Sequence, residues 1–240
     1  MDNPVPSQDQ EPAAPTAPAG LIEKLRSTPT IARVAPFFIF VGLTACQGLF
    51  GESSKYWVYL AKSLVGLWLV WAIRPVVREI RWTISLEAVV VGVAVIVVWI
   101  AIDPITPKIV DVTGYWNPHE QFGNGTALAW FFVISRTFFS ALVVPPIEEM
   151  FYRSFVYRTI IKERFEEVSL KTFHWPAFLI TSVVFGFVHG NQWLAGILCG
   201  MAYQWLVLRR GHLGDAMTAH AISNLLLGIW VAYKGAWQFW

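Results

Sequence analysis

The chain is poor in charge and in cysteine. Asp, Glu, Lys and Arg make up 14% of its 240 residues, against roughly a quarter in an average soluble domain, and this deficit excludes an ordinary water-soluble globule. Its two cysteines, Cys46 and Cys199, lie far apart inside apolar runs. They cannot supply a disulfide framework or a zinc knuckle, and read as free thiols packed like small hydrophobes. A formal net charge of +2, with no basic stripe interleaved with aromatics, excludes nucleic acid as a partner. No internal repeat of the kind that builds many transporters is visible. His-Glu-x-x-His, Gly-x-Ser-x-Gly and Gly-x-Ser-Gly are missing, and Gly211-His212-Leu213-Gly214-Asp215 only approaches Gly-x-Gly-Asp, with no second Asp in a span. Asp215 instead reads as a capping carboxylate at the start of the last helix.

What is present is apolar bulk: 55% hydrophobic residues, 13 Trp and 17 Phe, a composition suited to rings half buried at membrane–water boundaries. A helix needs about 20 apolar residues to cross a bilayer core. Such runs fall at Ile31–Phe50, Tyr56–Ile73, Ile84–Ile102, Ala127–Val144, Trp175–His189, Trp193–Leu208 and Leu213–Tyr233. With the N-terminus inside, cations from Lys24 to Arg210 collect on the cytoplasmic side, against only Lys55, Lys108 and Lys234 outside, while Lys62 and Arg136 fall within spans. This is the positive-inside pattern.

The fold expected is therefore an all-α integral membrane protein, seven transmembrane spans plus one amphipathic helix, eight helices in all. Residues 1–30 are expected to form a disordered cytoplasmic tail, rich in Pro, Ala, Gln and acids over the first twenty, and residues 31–240 the membrane-embedded domain. Pro145 and Pro146 are expected to break the fourth span, and the charges from Arg153 to Glu167 to make the next stretch an amphipathic helix that leaves the membrane.

Ionisable side chains inside apolar spans are costly, and each is a functional candidate by default. Three groups stand out. In Pro145-Pro146-Ile147-Glu148-Glu149-Met150-Phe151-Tyr152-Arg153, Glu149 and Arg153 are four apart and share a helix face, leaving Glu148 free. In Phe185-Gly186-Phe187-Val188-His189, Phe185 and His189 share a face, and Gly186 and Gly190 admit another backbone. In His220-Ala221-Ile222-Ser223-Asn224, two polar side chains four apart must face the bundle interior or a cavity. Acid turns, boundary histidines and interhelical hydrogen bonds each have structural explanations when taken singly. Together the six residues make a catalytic inventory. A glutamate takes a proton from water that a histidine holds; a second histidine and an asparagine donate to the oxyanion formed on an amide; Arg153 fixes Glu149. His119, His174 and His212 read as surface or interfacial, and Tyr152 and Asn191 as candidates for lining a cavity.

The ordered set Glu148-Glu149…Arg153, Phe185…His189 and His220…Asn224, within a motif core of residues 145–226, resembles the CPBP family: the CAAX proteases and bacteriocin-processing enzymes, also called the ABI family. Pro-Pro-Ile-Glu-Glu-Met-Phe-Tyr-Arg-Ser-Phe, the Asn191–Gly196 stretch and the terminal Trp237-Gln238-Phe239-Trp240 more narrowly resemble the CAAX prenyl protease-related proteins that accompany exosortase and PEP-CTERM systems. The resemblance implies an eight-helix membrane fold. It implies that Glu148 and His189 activate the water, that His220 and Asn224 form the oxyanion site, and that Glu149 and Arg153 support them. It is compatible with a mechanism that uses no tightly held metal and with a divalent metal such as zinc, whose ligands would be Glu148, His189 and His220.

The function expected is hydrolysis of a peptide bond in a membrane-associated protein or peptide by an intramembrane endopeptidase. The alternatives are a non-catalytic family member, such as an immunity factor or scaffold, and a transporter with an intramembrane ion site. Membrane lipid and the substrate are the expected partners. The bacterial inner membrane, with the N-terminus cytoplasmic, is the expected location.

Overall fold

Four of the apolar runs begin where a short polar side chain takes up an orphan amide. Thr28 accepts from the Ile31 amide (3.0 Å) just before Pro29, Ser85 from Ala88 (3.1 Å), Thr126 from Ala129 (3.2 Å) and His174 Nδ1 from Ala177 (3.3 Å). These N-caps satisfy amides that have no partner within the helix. The structure, a computed structural model, describes residues 20–111 and 114–240, so the first nineteen residues of the expected tail lie outside the described residues.

Every regular element among the described residues is helical. In chain order they are α1 (Leu21–Leu25), α2 (Pro29–Ala45), α3 (Ser54–Ile73), α4 (Leu86–Ile102), α5 (Pro118–Phe122), α6 (Ala127–Leu142), α7 (Val144–Glu149), a π-helical stretch Met150–Val156, α8 (Tyr157–Ile161), α9 (Trp175–Phe187), α10 (Trp193–Arg210) and α11 (Gly214–Lys234). Helix α1 falls within the 1–30 segment expected as a tail: Leu25 is buried and Arg26 Nε donates to the Ala72 carbonyl at 2.6 Å, which fastens the segment to α3.

Among the described residues four helical segments are long and apolar enough to cross a membrane: Ser54–Ile73, Leu86–Ile105, Ala127–Ile161 and Gly214–Lys234. Pro29–Ala45 and Trp175–Phe187 are apolar but shorter. The expected count of seven spans thus exceeds what length and composition give, although the all-helical, multi-pass architecture holds.

The largest departure from expectation is at Pro145 and Pro146. They do not separate a span from an amphipathic surface helix; α6, α7, the π stretch and α8 run on as one 35-residue segment. Val143, a single turn residue with helical dihedrals, joins α6 to α7; its amide still reaches Phe139 (2.9 Å), and the prolines occupy the first turn of α7, where their missing amides leave little unpaired. Of the charges that suggested a surface helix, Arg153 and Arg158 turn inward, whereas Lys162, Glu163, Arg164, Glu166 and Glu167 stay exposed. Met150 through Ser154 are buried. Arg158 Nη2 meets Glu79 Oε1 at 2.5 Å and Arg33 Nη2 meets Glu79 Oε2 at 2.6 Å, so one acid from the α3–α4 connection neutralises two helices at once.

Asp215 does not cap α11, which begins after Leu213 with no side-chain cap. Its carboxylate accepts from Thr83 Oγ1 (2.6 Å) and Ser85 Oγ (2.8 Å) and pairs with Arg210 Nε (2.9 Å), fastening the start of α4 to α11. Helices α9 and α10 meet backbone to backbone. A Cβ on Gly186 would lie 2.3 Å from Ile197 Cγ1 and 2.6 Å from the Trp193 carbonyl, and one on Gly196 would lie 2.8 Å from Gly186 Cα. The expected role of Gly186 is met, whereas Gly190 has open space around it. Gly186→Val is expected to force this seam apart at about 1–3 kcal/mol, read as a lower Tm together with loss of whatever activity depends on His189, three residues on.

Candidate active site

Arg136, Ser140, Val144 and Glu148 recur at four-residue intervals along the long helix, the spacing that places side chains on one stripe. All four line a cavity of about 520 Å³. Facing them across it are His189 from the end of α9, and His220 and Asn224 from α11. A larger hollow of about 690 Å³ lies over Gly20–Ser27, but among the described residues that one short segment alone lines it.

Behind the cavity wall, Glu149 and Arg153 are both fully buried, with Arg153 Nε 3.1 Å from Glu149 Oε2. The N–H does not point along that line, since neither atom has a hydrogen-bond partner, so the contact acts as an ion pair. The other carboxylate oxygen of Glu149, Oε1, lies 3.0 Å from His220 Nδ1. A carboxylate only accepts, so Nδ1 carries the proton. Nε2 of His220 then donates only when the ring is an imidazolium. Tyr203 stacks on the same ring, with centroids 5.0 Å apart, and its hydroxyl lies 2.6 Å from Ser223 Oγ, which donates to the His220 carbonyl at 2.8 Å.

His189 is held differently. Its Nδ1 lies 2.6 Å from the Phe185 carbonyl, an acceptor, so Nδ1 is protonated and Nε2 keeps a lone pair in the neutral ring. Trp99 meets that ring edge-on at 5.4 Å. Phe185 touches three site groups: its ring centroid is 4.7 Å from that of His189, 6.1 Å from that of His220, and 4.3 Å from Arg153 Cζ. One ring, a turn before His189, thus packs against both histidines and the guanidinium. Asn224 Nδ2 donates to the Ser140 carbonyl at 2.9 Å, which spends one of its two N–H donors. Glu148 Oε2 is buried with no partner among the described residues. An unpaired buried carboxylate oxygen is costly, and here it borders the cavity.

Of the six residues expected to form a site, Glu148, His189, His220 and Asn224 line one cavity, and Glu149 and Arg153 stand behind it. Tyr152 is buried but is not part of the cavity wall. Asn191 is occupied elsewhere, its side chain accepting from the Ile109 and Val110 amides and donating to the Val110 carbonyl, each at 2.9 Å. His119, His174 and His212 serve turns and helix ends. Among the described residues no three His, Cys, Asp or Glu side chains are gathered to hold a metal ion; His220 already spends one ring nitrogen on Glu149 and His189 one on a carbonyl. Each ring keeps Nε2 available, as a metal-bound histidine does, but Glu148, His189 and His220 are not drawn together to ligand spacing in this structure. Sequence reasoning missed Tyr203, Ser223 and Trp99, which carry no charge to mark them. It noted Lys62 and Arg136 only as cations inside spans, although both line the cavity.

Residues 125–226 match the family model described as type II CAAX prenyl endopeptidase Rce1-like. The match spans all three motifs and somewhat less than half of the chain. No curated protein and no solved structure showed a match.

Proposed function

We propose that this chain, a multi-pass membrane protein whose residues 125–226 belong to the Rce1-like CAAX protease family, is an intramembrane endopeptidase acting on a membrane-associated protein or peptide. The observation that carries this reading is the shared cavity: Glu148, His189, His220 and Asn224, spread over 77 positions of sequence, line the same 520 Å³ space.

In this mechanism a water rests between the Glu148 carboxylate and the Nε2 lone pair of His189. Glu148 takes its proton as the oxygen attacks the scissile carbonyl carbon. The electron pair displaced onto the carbonyl oxygen is met by His220 Nε2–H and by the second N–H of Asn224, donors already fixed by Glu149 and the Ser140 carbonyl. When the C–N bond breaks, the proton held by Glu148 passes to the leaving amine, which restores the carboxylate. Glu149 and Arg153 touch no substrate; they orient His220 and balance its charge. The asymmetry of Lys and Arg along the chain supports an N-terminus on the cytoplasmic side of the membrane.

The test is incubation of the purified chain with membrane-anchored peptides, reading new termini by mass spectrometry. His220→Ala and Asn224→Ala are expected to lower kcat by about 10²–10³ with little change in KM, the signature of lost oxyanion donors. Full function in the cell for both variants would identify the chain as a non-catalytic scaffold or immunity factor instead.

A further inference from the structure

Two cations in the cavity wall take no part in the chemistry above. Lys62 on α3 is buried, donates to Thr44 Oγ1 at 2.7 Å, and lies 4.6 Å from the Phe40 ring centroid. Arg136 on α6 is enclosed by rings, with Cζ 4.5 Å from the centroid of Trp116 and 5.2 Å from that of Trp240. The two share one further ring, Tyr59, with Lys62 Nζ 5.0 Å and Arg136 Cζ 5.1 Å from its centroid. Neither is within 4.0 Å of a carboxylate among the described residues, since every ion pair formed there involves other groups. Glu148 is the one acid in the cavity wall.

Two like charges held close inside an apolar bundle are expensive to maintain. Aromatic faces attract cations, but they do not neutralise them. An anion entering the cavity would. The wall around the pair is suited to an anion carried on an apolar chain, because its other lining groups there are Phe40, Val41, Trp240 and the hydroxyls of Thr44 and Tyr59.

The position along the helices is also informative. Helices α3 and α6 run side by side in parallel register: the Tyr59 hydroxyl donates to the Arg136 carbonyl at 3.2 Å, and Gly66 abuts Val143. Lys62 thus falls between the levels of Arg136 and Val143. Arg136 precedes Glu148 by twelve residues, about 18 Å of helix at 1.5 Å per residue. An extended peptide covers about 3.3–3.6 Å per residue, so a group seated at the cations reaches Glu148 within about five residues.

We propose that Lys62 and Arg136 form a carboxylate-binding subsite that seats an anionic group of the substrate and sets which bond, a few residues away, meets Glu148. This deepens the endopeptidase reading and rests on it for the identity of the ligand as a substrate. The carboxylate is either the free C-terminus of the substrate or an acidic side chain near the cut.

The test reads binding without cleavage. The full chain in mild detergent is titrated with three probes: N-acetyl-Leu-Leu-Leu as the free acid, the same peptide as its C-terminal amide, and N-acetyl-Leu-Glu-Leu amide. The free acid is expected to bind about ten- to a hundredfold tighter than the Leu-Leu-Leu amide, the range of a charge-assisted contact, and to raise Tm as a ligand of the folded state does. The preference is expected to vanish in Lys62→Met/Arg136→Met, and to persist in Lys62→Arg/Arg136→Lys and in Glu148→Gln. If the glutamyl amide binds like the acid, a side-chain carboxylate suffices; if it binds like the plain amide, the free terminus is required. Equal binding of acid and amide, no binding of either, or a preference retained by the double Met variant would overturn the subsite. A wild-type chain that prefers the acid yet cleaves nothing would keep the subsite and remove the endopeptidase.

Discussion

Glu148→Gln is expected to lower kcat for peptide cleavage by about 10²–10⁴, the span that a positioned general base contributes, while leaving the fold intact. The substitution keeps the size and one carbonyl oxygen of the side chain but removes its ability to hold a proton taken from water. Stability should not fall, because Glu148 Oε2 has no partner to lose; a buried carboxylate oxygen without a partner is itself a cost. The check pairs a cleavage rate with a thermal midpoint on the same preparation. A large fall in rate at unchanged or raised Tm is the expected outcome, and unchanged turnover would remove Glu148 from the chemistry.

Arg153→Met is expected to act in the opposite order, on stability first. Arg153 and Glu149 are both completely enclosed, and removing Arg153 leaves the buried Glu149 carboxylate with only the His220 ring opposite it, at a cost of up to about 3–5 kcal/mol. The variant also frees Glu149 to shift away from His220 Nδ1, so activity should fall with the Tm. Combining Arg153→Met with Glu149→Gln leaves no stranded charge and is expected to recover much of the lost stability, since the two residues are in contact and their effects do not add. Activity should not return, because a neutral amide no longer stabilises an imidazolium at His220. Recovery of both would make the pair purely structural. Failure to recover Tm would place the cost in packing: the guanidinium also lies 4.3 Å from the Phe185 ring centroid, and Met does not reproduce a planar group there.

The parts of this molecule that follow from the order of residue types were legible in the sequence; the parts that follow from where helices meet were not. Four-residue spacing alone paired Glu149 with Arg153 and set Phe185 beside His189, and both contacts are present. The same spacing gave no warning that Glu149 reaches across to His220, 71 positions on, because that contact depends on how α7 and α11 are laid together. Arg153 and Arg158 looked like residues of a surface helix because charge usually signals water. Here Glu149 and Glu79 meet them inside, and a lone sequence does not reveal which distant acid will arrive. Pro145 and Pro146 looked like a break because a proline inside a helix costs a hydrogen bond, whereas the turn residue Val143 makes their positions the first turn of α7. Lys62 and Arg136 were conspicuous as cations in apolar runs, yet only the shared Tyr59 ring places them together. Tyr203, neutral and set between Ala202 and Gln204 in an otherwise apolar run, gave no sign that it stacks on His220.

The endopeptidase reading depends on the Glu148 carboxylate and His189 addressing one water, with His220 close enough to meet the oxyanion that its attack creates. An experimental density map of the Glu148→Gln protein in lipid measures this directly. The expected result is the residue-148 side chain and the Nε2 atoms of His189 and His220 all within about two hydrogen-bond lengths, some 6 Å, of one ordered water in the cavity. Residue 148 turned away from both imidazoles, with apolar side chains sealing the space between them, would contradict it.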